Sequence, residues 1–331
     1  MKFRTEYIPK RSDITLSPEI PAVLLGSCFS ENIASKMREG LWDAFNPCGT
    51  LYNPFSIATA IRTMLLSLFP DKEFEKSLFL AEDKYRSWFF DSSFSAWSAV
   101  DSMAKFRHNR ERFGDMLAAG SPLIVTFGTS WVYRLNSSPT NFVVGNCHKQ
   151  PENLFTRERI SVESIVKEWV ELISTLRKSF KKLNVIFTVS PVRHLKDGFN
   201  GNSLSKSVLL LAVEQLCRQL DNCIYFPAFE IINDDLRDYR FYASDLCHPS
   251  SEAVEYIWTK FRETFFDARA TEIFEKGLKI NRSLSHLPIP DASVLIPGSV
   301  SQKELQRKES LLAEYFDLKS LYPGLISLPG Y

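Results

Sequence analysis

At 331 residues and 44% hydrophobic content, the chain can bury a substantial core, either as one large domain or as one domain with an appendage. The 40 Lys and Arg against 39 Asp and Glu leave almost no net charge, and the densest basic cluster, Arg177-Lys178-Ser179-Phe180-Lys181-Lys182, ends a predicted helix where cations complement the dipole, so a nucleic-acid partner is not expected. No apolar run approaches the roughly 20 residues of a membrane span, and Met1 to Glu6 lacks the apolar core of a signal peptide, so the expected setting is cytoplasmic and away from membranes.

The stretch Pro21-Ala22-Val23-Leu24-Leu25-Gly26-Ser27-Cys28-Phe29-Ser30 combines an apolar run that reads as a buried strand, a glycine that permits a sharp turn, and two adjacent nucleophile-capable side chains. Ser30 to Met37 continues as the start of an amphipathic helix. A thiol or hydroxyl at such a turn sits beside unpaired helix N-terminal amides, which favour a developing anion. A plain tight turn around a buried cysteine uses the same residues. Further on, residues 74 to 100 hold Tyr85, Trp88, Phe89, Phe90, Phe94 and Trp97 in partial alternation. That pattern suits a hairpin or lid near a site, or simple cover over a sheet. Lys105 to Arg112 reads as a charged helix that leaves His108 in solvent.

Leu123 to Phe127, Val185 to Val189 and Ile224 to Phe226 are apolar strand candidates. Helical patterns at Ser161 to Phe180 and Ser203 to Leu220 separate them, and another follows at Ser250 to Phe266. Such alternation predicts a mainly parallel sheet covered by helices on both faces, with functional loops at the carboxyl ends of the strands. Trp131 to Leu135 and Phe142 to Val144, around the turn-rich Asn136 to Asn141, read as a second hairpin that carries His148 back toward the rim. Gly26, Gly128 and Pro191-Val192-Arg193-His194 each follow a strand, so separate motifs converge on one edge. In Tyr242-Ala243-Ser244-Asp245-Leu246-Cys247-His248-Pro249-Ser250 an aspartate precedes a histidine by three positions. On a tight turn the carboxylate holds the imidazole in one tautomer while the other ring nitrogen addresses a nucleophile. A helix cap and a surface histidine are the bland equivalents. Arg193 suits a carboxylate or phosphate, or a structural ion pair, and His194 suits either substrate or a loop hydrogen bond. Past about residue 275 the chain changes character: Leu287-Pro288-Ile289-Pro290 and Leu295-Ile296-Pro297-Gly298 are proline-punctuated, a short charged helix follows at Ser301 to Phe316, and Leu321-Tyr322-Pro323-Gly324 leads into an irregular end. The expected organisation is a domain over 1–275 and a C-terminal extension over 276–331 that packs on or beyond it, with no internal repeat.

Gly26-Ser27-Cys28-Phe29-Ser30, continuing through Phe45-Asn46-Pro47-Cys48-Gly49-Thr50-Leu51-Tyr52-Asn53-Pro54, resembles the GSCFA-domain proteins, which are related to the SGNH/GDSL hydrolase superfamily. Gly145-Asn146-Cys147-His148-Lys149-Gln150-Pro151, Val189-Ser190-Pro191-Val192-Arg193-His194 and Asp245-Leu246-Cys247-His248-Pro249 fall in the order that family shows. The resemblance implies a three-layer α/β/α, flavodoxin-like fold with hairpin insertions. It places Cys28 at the nucleophile position of the Gly-Asp-Ser motif and Ser27 at the aspartate position, so that either Cys28 or Ser27 attacks, with His248 as base and Asp245 as its orienting carboxylate. It also implies an oxyanion hole from the elbow amide, Gly49 and the residue at the superfamily's asparagine position, here Ser130. Losing one such donor removes on the order of 3 kcal/mol of transition-state stabilisation. Asn53, Asn146 and His148 are the residues able to replace it, and with Arg193 and His194 they form the expected substrate-binding set.

The six cysteines, Cys28, Cys48, Cys147, Cys217, Cys223 and Cys247, form no Cys-x-x-Cys pair and suit a reducing compartment. Cys147-His148 and Cys247-His248 are adjacent pairs, poorly placed to converge on one tetrahedral ion, so no metal is expected. No Gly-x-Gly-x-x-Gly follows a strand and no phosphate loop is present, so no cofactor is expected. The short string Gly-Ser-Cys-Phe prompts a papain-like peptidase reading, which fits poorly, since those enzymes place the cysteine on a helix without a buried strand leading into a glycine elbow. The sequence thus points to an acyl-ester hydrolase or acyltransferase acting on a small-molecule or carbohydrate ester. A non-catalytic glycan- or ligand-binding module on the same fold is the alternative, supported by the absent asparagine.

Overall fold

The computed structural model describes residues 4–137, 142–286 and 302–327. In chain order the first half runs β1 (Ala22–Gly26), α1 (Cys28–Glu39), β2 (Ala44–Phe45), α2 (Pro54–Ile61), α3 (Pro70–Lys76), β3 (Leu78–Ala81), β4 (Lys84–Ser87), α4 (Ala99–Ala118), β5 (Leu123–Phe127) and β6 (Trp131–Leu135). The second half runs β7 (Phe155–Arg159), α5 (Val162–Ser179), β8 (Val185–Val189), α6 (Gly198–Gln219), β9 (Cys223–Phe226), the single turn α7 (Ala228–Glu230), α8 (Ser251–Phe265), α9 (Ala268–Ser285) and α10 (Gln302–Leu321).

Five strands form one parallel sheet in the order β2-β1-β5-β8-β9. Every residue of β1, β5 and β8 is buried, as central parallel strands covered on both faces require. Alternate side chains enter opposite layers. Val23, Leu25, Val125, Phe127, Phe187 and Val189 pack with helices α2, α4, α5 and α6. Leu24, Ile124 and Ile186 pack with α1, α8 and α9. The helices start where the sequence offers caps: Asn53, Ser98, Ser161, Ser250 and Asp267 each accept a first-turn amide of α2, α4, α5, α8 and α9. Because β1 lies inside the sheet with β2 on one side and β5 on the other, chain direction across the sheet reverses there, and the crevice at the carboxyl ends of β1 and β5 is where open α/β sheets bind ligands.

The insertions differ from the sequence reading in detail. Residues 78–87 do form a hairpin, β3 with β4, but Phe90 and Phe94 turn inward and stack with Phe74 and Phe106 in the main core. The aromatic insertion is cover over the sheet there. β6 pairs along its length with β7. Phe142 to Val144, the expected partner, adds only a short bridge through Arg134 and Val143. Most of the expected hairpin tip, 138–141, lies outside the described residues, as do Leu287-Pro288-Ile289-Pro290, Leu295-Ile296-Pro297-Gly298 and Ser301. α6 begins at Gly198, ahead of the expected Ser203.

The expected boundary at 275 falls inside α9, which packs against α1 through Phe274 and Gly277. Tyr315 and Leu318 of α10, with Leu325, join Leu41, Ile273 and Ile280 in a further apolar cluster. Leu325 also bridges Trp42, and the Ile326 N–H donates to the Leu41 carbonyl (2.7 Å). No described helix is long and apolar enough to cross a membrane. A Cβ at Gly277 would lie 2.2 Å from the Gly40 carbonyl oxygen, whereas one at Gly114, inside α4, would meet only Leu65 at 4.0 Å. Urea denaturation is therefore expected to show Gly277→Ala losing about 2 kcal/mol or more through overpacking, and Gly114→Ala gaining about 0.5 to 1 kcal/mol.

Candidate active site

β1 ends at Gly26, whose φ of 127° and closeness to β5 exclude any side chain: a Cβ there would lie 2.1 Å from the Thr126 carbonyl oxygen. The turn that follows puts Ser27 at the N-cap of α1, its hydroxyl accepting from the Phe29 amide (3.4 Å) and its side chain almost wholly buried. Cys28 is the first helical residue and is half-buried. Burial pushes the Cys28 thiol up. The Phe29 and Cys28 amides and the Lys206 ammonium pull it back down, and Asp245 adds to the upward side.

The second half of the site comes from the turn before α8. His248 Nδ1–H donates to Asp245 Oδ2 (2.6 Å), while Asp245 Oδ1 accepts the amides of Cys247 (2.9 Å) and His248 (3.0 Å). Leu246 takes a left-handed conformation to close this turn. Those amides first, then the imidazole, hold the Asp245 carboxyl down at about 2. With Nδ1 held by the carboxylate, Nε2 of His248 has no protein partner among the described residues. The Arg193 amide donates to the Cys247 carbonyl (3.1 Å), fixing this turn to the loop after β8.

One cavity of about 520 Å³ at the carboxyl edge of the sheet is bordered by Ser27, Cys28, Asn53, Asn146, Arg193, His194, Asp245 and His248. Eight of the expected residues thus meet in one place. Ser130, Gly49 and His148 do not border it. Ser130 is fully buried, and both its amide (2.8 Å) and its hydroxyl (3.1 Å) donate to Ser205 on α6; Thr129 faces the cavity instead. Gly49, at φ 71°, lies where the Asp91 carboxylate approaches to 2.1 Å of its would-be Cβ and accepts the Thr50 amide (2.8 Å). His148 is buried under Phe79 and Trp88 with Nε2 paired to the Ser87 carbonyl (2.7 Å), and burial lowers its pKa. It clasps its loop to β4.

Of the three residues able to supply a third oxyanion donor, His148 does not border the cavity, whereas Asn146 does and so does Asn53. Asn53 Oδ1 accepts the Ser56 amide (2.8 Å) as the cap of α2, which leaves Nδ2 without a partner among the described residues at the cavity wall. Asn146 Oδ1 is taken by the His148 amide (2.7 Å). His194 is held down to about 4 by burial and by the Lys206 charge, so it is neutral at physiological pH, and among the described residues its buried Nε2 has no partner.

Several residues at the site escaped sequence reading. Tyr52, Trp131 and Tyr133 supply the aromatic wall, with Arg157 lying over Trp131 (4.2 Å) and paired to Asp197. Lys196 pairs with Glu152 (2.8 Å). Arg193 has no carboxylate partner among the described residues and stacks against Phe199 (5.4 Å) and Tyr242 (5.8 Å). Lys206, wholly buried behind the elbow, donates to two strand-end carbonyls. Its signal was a lysine on the apolar face of a predicted helix. Cys28, Cys147 and Cys247 all border the cavity, yet among the described residues no group of three His, Cys, Asp or Glu converges as metal ligands would.

A cysteine at a helix N-terminus on the switch point of a parallel sheet thus shares one cavity with a histidine held by an aspartate. The GSCFA family model matches residues 21–261, most of the chain, and the protein belongs to the GSCFA family. No curated protein matches it.

The dual position of Asn53 gives a separable expectation. Asn53→Ala removes the α2 cap and is expected to lose about 1 kcal/mol of stability. Asn53→Asp keeps the capping oxygen and is expected to melt within about 0.5 kcal/mol of wild type while losing the Nδ2 donor. If the donor serves an oxyanion, kcat with an activated ester falls about a hundredfold in both variants; equal turnover in wild type and Asn53→Asp would remove Asn53 from that role.

Proposed function

We propose that this protein is an acyl-transfer enzyme, an ester hydrolase or acyltransferase, related to the SGNH/GDSL hydrolases and sharing their three-layer, flavodoxin-like architecture. Cys28 attacks the acyl carbon, His248 Nε2 takes the thiol proton and returns it to the leaving alcohol, and Asp245 holds the imidazole in the tautomer that makes this possible. The observation that carries the reading is the 2.6 Å His248–Asp245 bond facing the cavity into which Cys28 opens. Cys28 is preferred to Ser27 because the Ser27 hydroxyl is buried and engaged as the cap of α1, whereas the thiol is half-exposed at the first helical position. The elbow amides and Asn53 Nδ2 are the donors for the oxyanion, in place of Gly49 and Ser130. The substrate is a small-molecule or carbohydrate ester in the cytoplasm; Tyr52, Trp131 and Tyr133 offer stacking faces, and Arg193 offers a cation to a substrate anion.

A second reading, a ligand-binding module that retains the fold without turnover, has a specific observation in its favour. Burial raises the Cys28 thiol, and Ser130 is turned away from the cavity. The two readings separate in steady-state kinetics with activated acyl esters. Acyl transfer is expected to fall by about a thousandfold or more in Cys28→Ala and His248→Ala and by about a hundredfold or more in Asp245→Asn. Ser27→Ala is expected to lose about 1 kcal/mol of stability as a removed cap and to keep turnover within about tenfold. Saturable ligand binding by a wild type that turns over no ester supports the module.

A further inference from the structure

The inner face of α6 carries a lysine among residues that otherwise build the core. Lys206 lies with Ser205, Leu209, Ala212, Val213 and Leu216 on the buried side of the helix and is 2% exposed. Lysine is almost never fully buried unless paired, because an isolated ammonium loses its hydration without recompense. Among the described residues no carboxylate pairs with Lys206. Its Nζ instead donates to the Gly128 carbonyl (2.6 Å) and the Ser190 carbonyl (2.7 Å), which lie just past the ends of β5 and β8. These dipoles satisfy two of the three hydrogen-bonding positions of an ammonium and carry no net charge.

One of these carbonyls belongs to the residue that supports the elbow. Gly128 packs directly behind it, since a Cβ at Gly128 would lie 3.3 Å from the Ser27 Cβ. The charge that favours the protonated form of Lys206 is the Cys28 thiolate, and Lys206 in turn favours that thiolate. We propose that Lys206 is a positioning residue for the nucleophile: its ammonium, pinned between the Gly128 and Ser190 carbonyls behind the elbow, is the fixed positive charge that favours the Cys28 thiolate. The inference rests on the reading of Cys28 as the nucleophile. In acyl transfer the thiol proton still passes to His248; Lys206 supplies charge and takes no part in bond making. A purely structural lysine would pin the two loops equally well and leave the thiol unaffected.

Each group acts on the other's charge. Burial brings Lys206 down to about 7 and the thiolate acts against that; burial raises Cys28 and the ammonium acts against that. The other charges facing them are Asp245 from the turn before α8, which raises the thiol, and His194 from the loop after β8, which senses the Lys206 charge; Tyr52, ahead of α2, senses the thiolate. Removing the ammonium must therefore raise the thiol, and removing the thiolate must lower the lysine.

The test is the rate of Cys28 alkylation by iodoacetamide, peptide-mapped, against pH in full-length wild type, Lys206→Gln and Lys206→Arg. Glutamine keeps an N–H donor for the two carbonyls and loses the charge; arginine keeps the charge. Lys206→Gln is expected to move the alkylation midpoint to higher pH, with about tenfold or greater loss of rate near pH 7.5, and Lys206→Arg to stay near wild type. Equal midpoints in wild type and Lys206→Gln overturn the Lys206 role. Should Lys206→Gln fail to fold, carbon NMR of the lysine Cε in wild type and Cys28→Ser decides it with the lysine in place: a lower Lys206 midpoint in Cys28→Ser upholds the role, and identical midpoints overturn it. Acyl-adduct formation on the same samples separates this inference from the acyl-transfer reading. A Lys206-dependent thiol in a protein that forms no adduct upholds the Lys206 role and removes acyl transfer, while adduct formation on a thiol indifferent to Lys206 removes the Lys206 role alone.

Discussion

The close parallel pairing of β1 with β5 is the constraint on which the site depends. At its end Gly26 lies so near the Thr126 carbonyl that no side chain fits, and from that point the rim is assembled by main-chain bonds. The Ser27 amide donates to Thr126 (3.2 Å), the Leu51 amide to Gly26 (2.9 Å), the Gly128 amide to Tyr52 (2.8 Å) and the Ser190 amide to Phe127 (2.8 Å). The Arg193 amide then fastens the loop after β8 to the turn that carries His248 and Asp245. Cys28, the loop that carries Asn53, and His248 are therefore positioned by backbone rather than by long side chains, the kind of rigidity that the proposed roles require.

Electrostatics gives this frame its chemistry. Asp245 remains ionised across the physiological range because two amides and an imidazole donate hydrogen bonds to its carboxylate. His194, a few residues past β8, is neutral because burial and Lys206 both oppose its protonation. Arg157 and Lys196 are matched by Asp197 and Glu152. Facing the cavity, Arg193 has no carboxylate partner among the described residues, and the Asp245 carboxylate is held by amides and an imidazole. Lys206 adds a cation behind the elbow, beside the thiol that Asp245 opposes.

Features encoded within a few neighbouring residues were legible in the sequence. The strand-glycine-helix elbow at Gly26, the Asp245 to His248 spacing and the β5, β8 and β9 runs all rest on local periodicity and turn chemistry, and all three appear in place. Features set by distant partners were not. Gly49 looked like an oxyanion donor, but its glycine is required by Asp91, and Ser130 looked like another until Ser205 on α6 claimed it. His148 was drawn to Ser87, 61 positions earlier in the chain, a pairing that no local pattern announces. β6 took its partner from Phe155 to Arg159, beyond the nearer apolar run. Lys206 is a charge on an apolar helix face, and its hydrogen-bond partners are strand-end carbonyls distant in sequence.

The most direct measurement exposes the intact protein separately to a thiol-directed and a serine-directed electrophile, locates the adduct by peptide mass mapping, and compares wild type with His248→Ala. The expected result is a single adduct on Cys28 whose formation depends on His248. Absence of any preferential adduct on Cys28 or Ser27, or an adduct indifferent to His248, would contradict an activated nucleophile and leave the cavity as a binding site.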